Sequence, residues 1–160
     1  KDFLNLLKSK DKVITLNKDL LCSDQNIIGH QVNCQGVMGT GVALDIKNKY
    51  RKAYLDYNNL CISESKSDQL LGQCQLVKVE GDKYVANIFG QYFYGRKQRH
   101  TNYDSLKQGL ITLKEKAIEE KLSIALPYKI GCNNAGGDWS IVENIISEVF
   151  IDYPIILHKK

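Results

Sequence analysis

Long apolar segments are missing from this 160-residue chain, and proline is scarce. No apolar run approaches the roughly 20 residues that cross a bilayer, and the first residues lack the pattern of a signal peptide. With two prolines and neither a repeat nor a low-complexity tract, the sequence offers no obvious linker. These absences argue against a membrane protein and against several domains, so we expect residues 1–160 to form one domain.

Paired cysteines and strong charge are lacking too. The five cysteines are odd in number and show no CxxC spacing, which argues against a disulfide framework and a zinc site. We therefore expect no metal and a reducing, cytoplasmic location. We also expect no cofactor and a monomeric chain. The net charge of +4 is mild and is not gathered into a basic block. It favours an anionic ligand without by itself indicating nucleic acid.

What the sequence does contain is an alternation of strand-like and helix-like segments. Strands around a hairpin turn at Gly81-Asp82, alternating with helices, predict an α/β fold in three layers, with a mixed central sheet covered on both faces. Asp138, or a capping box of Ser140 and Glu143, can begin the last helix. The predicted strands are Val13–Leu16, Ile27–Val32, Cys74–Glu80, Lys83–Phe89, Ser123–Leu126 and Ile155–Leu157, and helical spacing links Val42 to Tyr50, Tyr103 to Ala117 and Ile141 to Phe150.

Two glycine-rich loops each join a predicted strand to a predicted helix. The first is Asn33–Ala43 and the second is Pro127–Trp139. Such a loop lets backbone N–H groups approach an anion at the positive end of the helix dipole. Two of them, about ninety residues apart, indicate one elongated anionic ligand held from both sides. The first loop lacks the spacing of a Rossmann or P-loop motif, and a tight turn without a ligand is the alternative for a single loop.

Both loops, together with Asn17–Leu21, resemble those of the macrodomain family of ADP-ribose-binding proteins. The first loop shows a Met-Gly-x-Gly-[Ile/Val]-Ala pattern at Met38–Ala43, and the second shows Ile130–Cys132 followed by Trp139. The resemblance runs from about residue 13 to residue 157. It is to the branch that contains ADP-ribose 1″-phosphate phosphatases and the terminal ADP-ribose protein glycohydrolase, and it implies the macrodomain fold.

The resemblance also implies where ADP-ribose binds. The carboxylate of Asp19 would accept a hydrogen bond from the adenine amino group, although spacing alone makes Asp19 an ordinary turn residue. The first loop would hold the distal ribose and the second the diphosphate. His158 matches a position that often stacks on adenine, with solvent exposure as the alternative. The candidate binding residues are Asp19, Leu20, Asn33, Gly36, Met38, Gly39, Thr40, Gly41, Val42, Gly131, Cys132, Asn133, Asn134, Ala135, Gly136 and Gly137.

Two departures from the family pattern bear on catalysis. The glycohydrolase of this branch uses a lysine after the middle strand and an aspartate in the second loop, where this chain has Gly90 or Gln91 and Ala135. A lysine adduct is therefore not expected. The phosphatase branch instead implies His30 as acid or base, with Asn33 positioning the ribose. The alternatives are a strand histidine with a satisfied hydrogen bond and an asparagine that caps its own turn.

The sequence therefore leaves several functions open. The favoured hypothesis is an enzyme that hydrolyses ADP-ribose derivatives at the distal ribose, in the first place ADP-ribose 1″-phosphate. The alternatives are an ADP-ribose-binding module without turnover and a hydrolase of ADP-ribosylated protein or nucleic acid. The aromatic and basic segment Gly90–His100 is either a flap over the distal ribose or a solvated loop. Interleaved rings and cations also occur in proteins that bind single strands.

Overall fold

A mixed sheet of six strands forms the centre of the computed structural model, which describes residues 3–160. The order of the strands across the sheet is β1-β6-β5-β2-β4-β3. All neighbours are parallel except the β3–β4 hairpin, which is antiparallel. The strands are β1 (Val13–Leu16), β2 (Ile27–Val32), β3 (Cys74–Glu80), β4 (Lys83–Phe89), β5 (Ile124–Pro127) and β6 (Ile155–His158).

Helices cover both faces of the sheet, because its strands are apolar on both sides. Successive residues of β2 point to opposite faces, so Ile28 packs with Ile46 and Ala53 on one side, while Ile27 packs with Leu110 on the other. The predicted three-layer α/β fold is confirmed. Within residues 3–160 the α-helices are α1 (Phe3–Lys8), α2 (Gly41–Lys49), α3 (Arg51–Ser63), α4 (Tyr103–Glu120) and α5 (Trp139–Val149). None of these helices is long and apolar enough to span a membrane.

Polar side chains cap the N-termini of α4 and α5. Asn102 caps α4 by accepting a hydrogen bond from the Ser105 N–H at 3.0 Å. At α5 the cap is Asp138, whose carboxylate accepts from the Ser140 N–H at 2.9 Å. The capping box at Ser140 was wrong, because Ser140 lies inside the first turn of a helix that begins at Trp139.

The topology brings both glycine loops to one edge of the sheet. The first loop follows β2 and the second follows β5, and these two strands are parallel neighbours. The segments after β1, β6 and β4 reach the same edge, because these strands run in the same direction. In parallel sheets, ligands bind outside the carboxyl ends of the strands. This edge is therefore where a site is expected.

Candidate functional site

A cleft of about 680 Å³ lies along the carboxyl edge of the sheet. Both glycine loops line it, as do the segments that follow β1, β4 and β6. Met38 is buried beneath the first loop, so it supports the loop instead of facing the cleft. Among the predicted binding residues the lining includes Asp19, Leu20, Asn33, Gly39, Thr40, Gly41, Val42, Gly131, Asn133, Asn134 and Ala135, and leaves out Gly36, Met38, Cys132, Gly136 and Gly137.

The first loop is shaped by the side chain of Asn33. Its Oδ1 accepts hydrogen bonds from the Gln35 N–H at 2.9 Å and from the Tyr57 hydroxyl at 2.7 Å. Its Nδ2 donates to the Val37 carbonyl at 2.8 Å. Burial raises the pKa of Tyr57, so its hydroxyl stays protonated and remains a donor. This is the turn-capping geometry that the sequence left open, and contact of Asn33 with a ribose stays a prediction.

The second loop folds back on itself around its glycines. The Gly137 N–H donates to the Gly131 carbonyl at 2.9 Å, and the Gly136 N–H donates to the Asn133 carbonyl at 3.1 Å. Gly131 and Gly136 have φ angles of +74° and +73°, which disfavour any residue with a Cβ. The Ala135 carbonyl accepts from the backbone of the segment after β4. The loop is therefore fixed by backbone hydrogen bonds within itself and to the segment after β4.

The two loops touch across the cleft. The Asn134 Nδ2 donates a hydrogen bond to the Thr40 Oγ1 at 2.9 Å. Thr40 is the residue before α2, whose first N–H groups lie beside the cleft and present the positive end of the helix dipole. Neither Asn33–Ala43 nor Ile130–Gly137 contains a charged side chain. An anion held between these two segments would be bound by neutral donors, with the cations Arg96, Lys129, Lys159 and Lys160 elsewhere in the lining of the cleft.

His30 lies at the floor of the cleft, buried within β2. Its Nε2 is 2.6 Å from the Oδ1 of Asn87, which stands opposite it on β4. The Asn87 amide nitrogen donates to the Ala53 carbonyl and to the Gln75 Oε1, at 3.3 and 3.0 Å. The Asn87 oxygen must therefore accept, and the hydrogen of the imidazole sits on Nε2. The Nδ1 atom is left as a buried acceptor without a partner among residues 3–160.

The same burial determines the charge of His30. Desolvation lowers the pKa of this histidine from 6.5 to about 4, and the hydrogen bond to Asn87 opposes the shift only in part. The ring is neutral at pH 7 as a result. A neutral ring with a bare Nδ1 can accept a hydrogen bond, whereas with a pKa of about 4 it has no extra proton to donate at pH 7 and is a weak base. Its role as acid or base stays a prediction, and the geometry favours the accepting role.

A network of amide side chains lies beside His30, below the point where the loops meet. The Gln31 Nε2 donates to the Gln91 Oε1 at 2.8 Å and to the Thr101 Oγ1 at 2.9 Å. The Thr101 hydroxyl donates to the Gly131 carbonyl at 2.6 Å. The network thus connects β2, the segment after β4 and the second loop. Sequence reasoning missed Gln31, although a polar residue in an apolar strand next to a glycine loop was the available signal.

Gly90 owes its lack of a side chain to this network. A Cβ built on Gly90 would lie 2.3 Å from the Gln31 Oε1 and 2.8 Å from its Cδ. A lysine at position 90 would therefore collide with Gln31. Gln91 lines the cleft, and two hydrogen bonds fix its side-chain amide. Its Oε1 accepts from the Gln31 Nε2, and its Nε2 donates to the Phe93 carbonyl at 2.8 Å. Position 90 therefore has no room for a side chain while Gln31 keeps this conformation.

We expect Gly90→Ala to destabilise the protein by about 2–3 kcal/mol. The new methyl group would displace the Gln31 amide, and each of its two hydrogen bonds is worth about 1 kcal/mol. Urea unfolding of Gly90→Ala, Gln31→Ala and the double variant measures the coupling. The double variant should be no less stable than Gln31→Ala alone, because the colliding group is gone. A double variant whose loss of unfolding free energy equals the sum of the two single losses would contradict this explanation.

The other end of the cleft lies at Asp19 and His158. The Asp19 carboxylate accepts from the Leu21 N–H at 3.1 Å and lies 3.2 Å from the Lys160 Nζ. The bond from Leu21 is the main cause that lowers the pKa of Asp19, so the carboxylate is ionised and can accept. His158 is buried, with ring nitrogens 3.1 Å from the Lys18 carbonyl oxygen and 2.9 Å from the Ser23 Oγ. The exposed alternative for His158 was wrong, and its stacking on adenine stays a prediction.

The six-stranded mixed sheet and the paired glycine loops at its carboxyl edge define a class of α/β folds, and comparison with known families identifies it. A family model described as the macro domain matches residues 30–146 of the chain. The match covers more than half of the chain, and this chain belongs to the macro domain family. The resemblance seen in the two loops is thereby confirmed. The extent of the single domain over residues 1–160 stays a prediction.

Two curated relatives and one solved structure are similar to the chain. DNA ADP-ribosyl glycohydrolase of Mycobacterium tuberculosis is 29% identical over 140 residues, which is 85% of this chain and 38% of the relative. ADP-ribose 1″-phosphate phosphatase of Saccharomyces cerevisiae is 34% identical over 86 residues, 50% of this chain and 48% of the relative. The macrodomain of Mycobacterium tuberculosis DarG superposes with a TM-score of 0.77 at 26% identity, covering 91% of this chain and 96% of that one. The chain spans less than half the length of these two curated relatives.

Proposed function

We propose that the cleft binds ADP-ribose and that the protein hydrolyses derivatives of ADP-ribose at the distal ribose. The observation that carries this proposal is one continuous cleft that crosses the sheet from Asp19, after β1, to Gln91, after β4. Both glycine loops lie between these ends. The names of the two curated relatives support the proposal, since each refers to a derivative of ADP-ribose.

The order of the strands suggests how the ligand lies. The adenine amino group would donate to the ionised Asp19 carboxylate at the β1 side. The diphosphate would lie against the backbone N–H groups of the second loop and the start of α2. The distal ribose would then reach the first loop and Gln91, where Arg96 also lines the cleft. A cation at this end suits a phosphate at C1″, so ADP-ribose 1″-phosphate is the first candidate substrate.

His30 is the residue that we assign to the hydrolytic step. With Nε2–H held by Asn87, the bare Nδ1 would accept a hydrogen bond from the attacking water or from a ribose hydroxyl. A neutral histidine at the floor of the cleft fits this task at pH 7. The leaving group would need another proton source, which favours substrates whose leaving group departs as an anion, such as phosphate.

A thermal-shift panel with ADP-ribose, its 1″-phosphate, NAD and AMP tests the binding proposal. A ligand at 100 times its Kd stabilises the native state by about 2.7 kcal/mol, which raises the melting temperature of a protein of this size by roughly 5–10 °C. We expect this shift with ADP-ribose and its 1″-phosphate, and a smaller one with AMP. The absence of a shift with every ligand would contradict the assignment of the cleft.

Turnover is tested with ADP-ribose 1″-phosphate, ADP-ribosylated DNA and ADP-ribosylated acidic side chains. We expect hydrolysis of at least one of them, and His30→Ala should lower kcat by about 10²–10⁴-fold, the range typical of a lost acid or base. The Kd for ADP-ribose should change by only a few fold, which also reports that the variant is folded. Full activity of His30→Ala would contradict the role of His30.

A binding module without turnover is the second candidate. It is favoured because both catalytic candidates already make hydrogen bonds within the protein. The side chain of Asn33 bonds to its own loop, and the neutral His30 ring bonds to Asn87. This function predicts a thermal shift with ADP-ribose and no hydrolysis of any of the three substrates. Product release above the rate without protein would exclude it.

A further inference from the structure

Three lysines lie at the end of the cleft where the proposed function places adenosine. Lys129 follows β5, Lys159 and Lys160 follow β6, and all three line the cleft. Lys160 has a countercharge, since its Nζ lies 3.2 Å from the Asp19 carboxylate. Within residues 3–160, neither Lys129 nor Lys159 forms an ion pair with a carboxylate. Two exposed cations without a countercharge therefore line this end of the cleft.

One aromatic ring brings these two cations together. The Lys159 Nζ lies 4.9 Å from the centroid of the Tyr128 ring, and the Lys129 Nζ lies 6.0 Å from it. The ring is itself fixed, because it packs against Trp139 with the centroids 4.9 Å apart. Tyr128 and Lys159 are the next residues after the last registered pair of β5 and β6, so they leave the sheet as neighbours. Two like charges near one ring repel each other, and a bound anion would offset that repulsion.

The backbone at Lys129 adopts a conformation that suits glycine. Its φ angle is +62°, and it is the third residue of a turn closed by the Ile130 N–H, which donates to the Pro127 carbonyl at 3.1 Å. Where φ is positive at the third position of a turn, glycine or asparagine is the usual residue. Any other side chain strains the backbone, and such strain is concentrated at functional sites. A lysine in this turn therefore points to a role for its side chain.

The order of the strands places the ribose of adenosine beside these lysines. β6 lies between β1 and β5 in the sheet. In the proposed function the adenine lies against Asp19, after β1, and the diphosphate lies against the second loop, after β5. The ribose that joins them would then lie over the end of β6 and the start of the second loop, which are the positions of Lys159 and Lys129. Its 2′ and 3′ hydroxyls are free in ADP-ribose, so either could carry a further group.

We propose that Lys129 and Lys159 form a subsite for a phosphate ester on the ribose of adenosine, so that the ligand class of the cleft includes ADP-ribose phosphorylated at the 2′ or 3′ hydroxyl. Such a phosphate carries a charge of about −1.5 to −2 at pH 7. Two ammonium groups without a countercharge complement it. The 2′ hydroxyl is the one that carries the phosphate in NADP. The inference rests on the proposed function, because that function places the adenosine.

Isothermal titration calorimetry with three adenosine nucleotides tests the subsite. The ligands are AMP, adenosine 2′,5′-bisphosphate and adenosine 3′,5′-bisphosphate, which differ only in the added phosphate. We expect at least one bisphosphate to bind about 10-fold more tightly than AMP, because the added phosphate forms two further exposed ion pairs. The larger gain shows which hydroxyl carries the phosphate. Equal affinities for all three nucleotides overturn the inference.

Lys129→Asn and Lys159→Met test whether the two lysines cause the gain. Asparagine tolerates a positive φ angle, and methionine keeps most of the aliphatic stem of lysine, so both variants should melt as the wild type does. Each should reduce the gain about 3-fold, and the double variant should remove it, while the affinity for AMP stays near that of the wild type. An equal loss for AMP and for the bisphosphates overturns the inference, because it indicates a general attraction of anions.

Lys47→Met is the matched control for charge. The Lys47 Nζ lies 4.2 Å from the centroid of the Tyr54 ring, so this lysine is also held over a tyrosine, but neither residue lines the cleft. The variant loses the same charge as Lys159→Met and should keep the full gain of the bisphosphates over AMP. A gain that falls as much in Lys47→Met as in Lys159→Met overturns the subsite.

A second comparison uses ADP-ribose and its 2′- or 3′-phosphate, whichever the nucleotides select. We expect the phosphorylated form to bind more tightly to the wild type, and both forms to bind equally to the double variant. Binding of ADP-ribose without a gain from the added phosphate overturns the subsite and leaves the proposed function intact. A lysine-dependent gain with a bisphosphate, without any binding of ADP-ribose, overturns the proposed function instead and leaves the phosphate subsite.

Discussion

Gly137→Ala is expected to lower the affinity for ADP-ribose at least 100-fold. A Cβ at this position would lie 2.6 Å from the carbonyl oxygen of Gly131, a backbone atom that is unable to move without the rest of the second loop. The Gly137–Gly131 hydrogen bond would break, and the N–H groups that we assign to the diphosphate would lose their common direction. Isothermal titration calorimetry with ADP-ribose measures the effect.

Gly81→Ala is the matched control for this substitution. Gly81 also lies in a turn, with a φ angle of +44°, but nothing lies within 4 Å of its Cβ position, and the β3–β4 turn is remote from the cleft. This variant should lose some stability through backbone strain and bind ADP-ribose as wild type does. Wild-type affinity in a folded Gly137→Ala would exclude the second loop from the binding site.

Acidification is expected to destabilise the protein through His30. In the unfolded chain this histidine takes up a proton near pH 6.5, whereas burial in the native state lowers its pKa to about 4. Between these values the unfolded state holds more protons, so stability falls as the pH falls. The loss from His30 alone is about 2 kcal/mol at pH 5 and about 3 kcal/mol at pH 4. Urea unfolding at pH 7, 5 and 4 measures it.

The comparison that isolates this effect is His30→Gln, which has no group that titrates there. Its stability should fall less steeply than that of the wild type between pH 6.5 and pH 4. A smaller slope will remain, because burial also lowers the pKa of His158. The carboxylates with lowered pKa values, Asp19, Asp138 and Asp152, add their losses mainly below this range. Parallel pH profiles of wild type and variant would show that His30 is not the cause.

The fold was predictable where a segment carries its own periodicity and its own turn. The boundaries of Ile27–Val32 and of the hairpin strands were confirmed, because apolar runs and a two-residue turn define them locally. The short 3₁₀ helices Leu20–Cys22 and Ser67–Leu70 were missed. They are single turns without periodicity, and each is held by one buried leucine that packs against distant parts of the chain.

The positions of the two glycine loops were predictable from the sequence, but the hydrogen bonds between side chains of the site were not. Glycine spacing located both loops, and the structure places most of their residues along the cleft. The partner of His30 was missed, because Asn87 becomes its neighbour only through the register of β2 against β4. Gln91 lies two residues beyond the end of β4 and reaches Gln31 through a side-chain hydrogen bond. Register is set by the whole sheet, so a single sequence does not reveal these contacts.

The absence of charged side chains from Asn33–Ala43 and Ile130–Gly137 has a consequence for selectivity among cellular anions. Polyphosphate, free nucleotides and RNA are abundant, and a cationic pocket would attract all of them. Neutral N–H groups in a fixed arrangement instead bind most tightly the ligand whose oxygen atoms match their positions. Discrimination among anions would thus come from the geometry of these N–H groups, whereas the cations elsewhere in the lining of the cleft would attract anions in general.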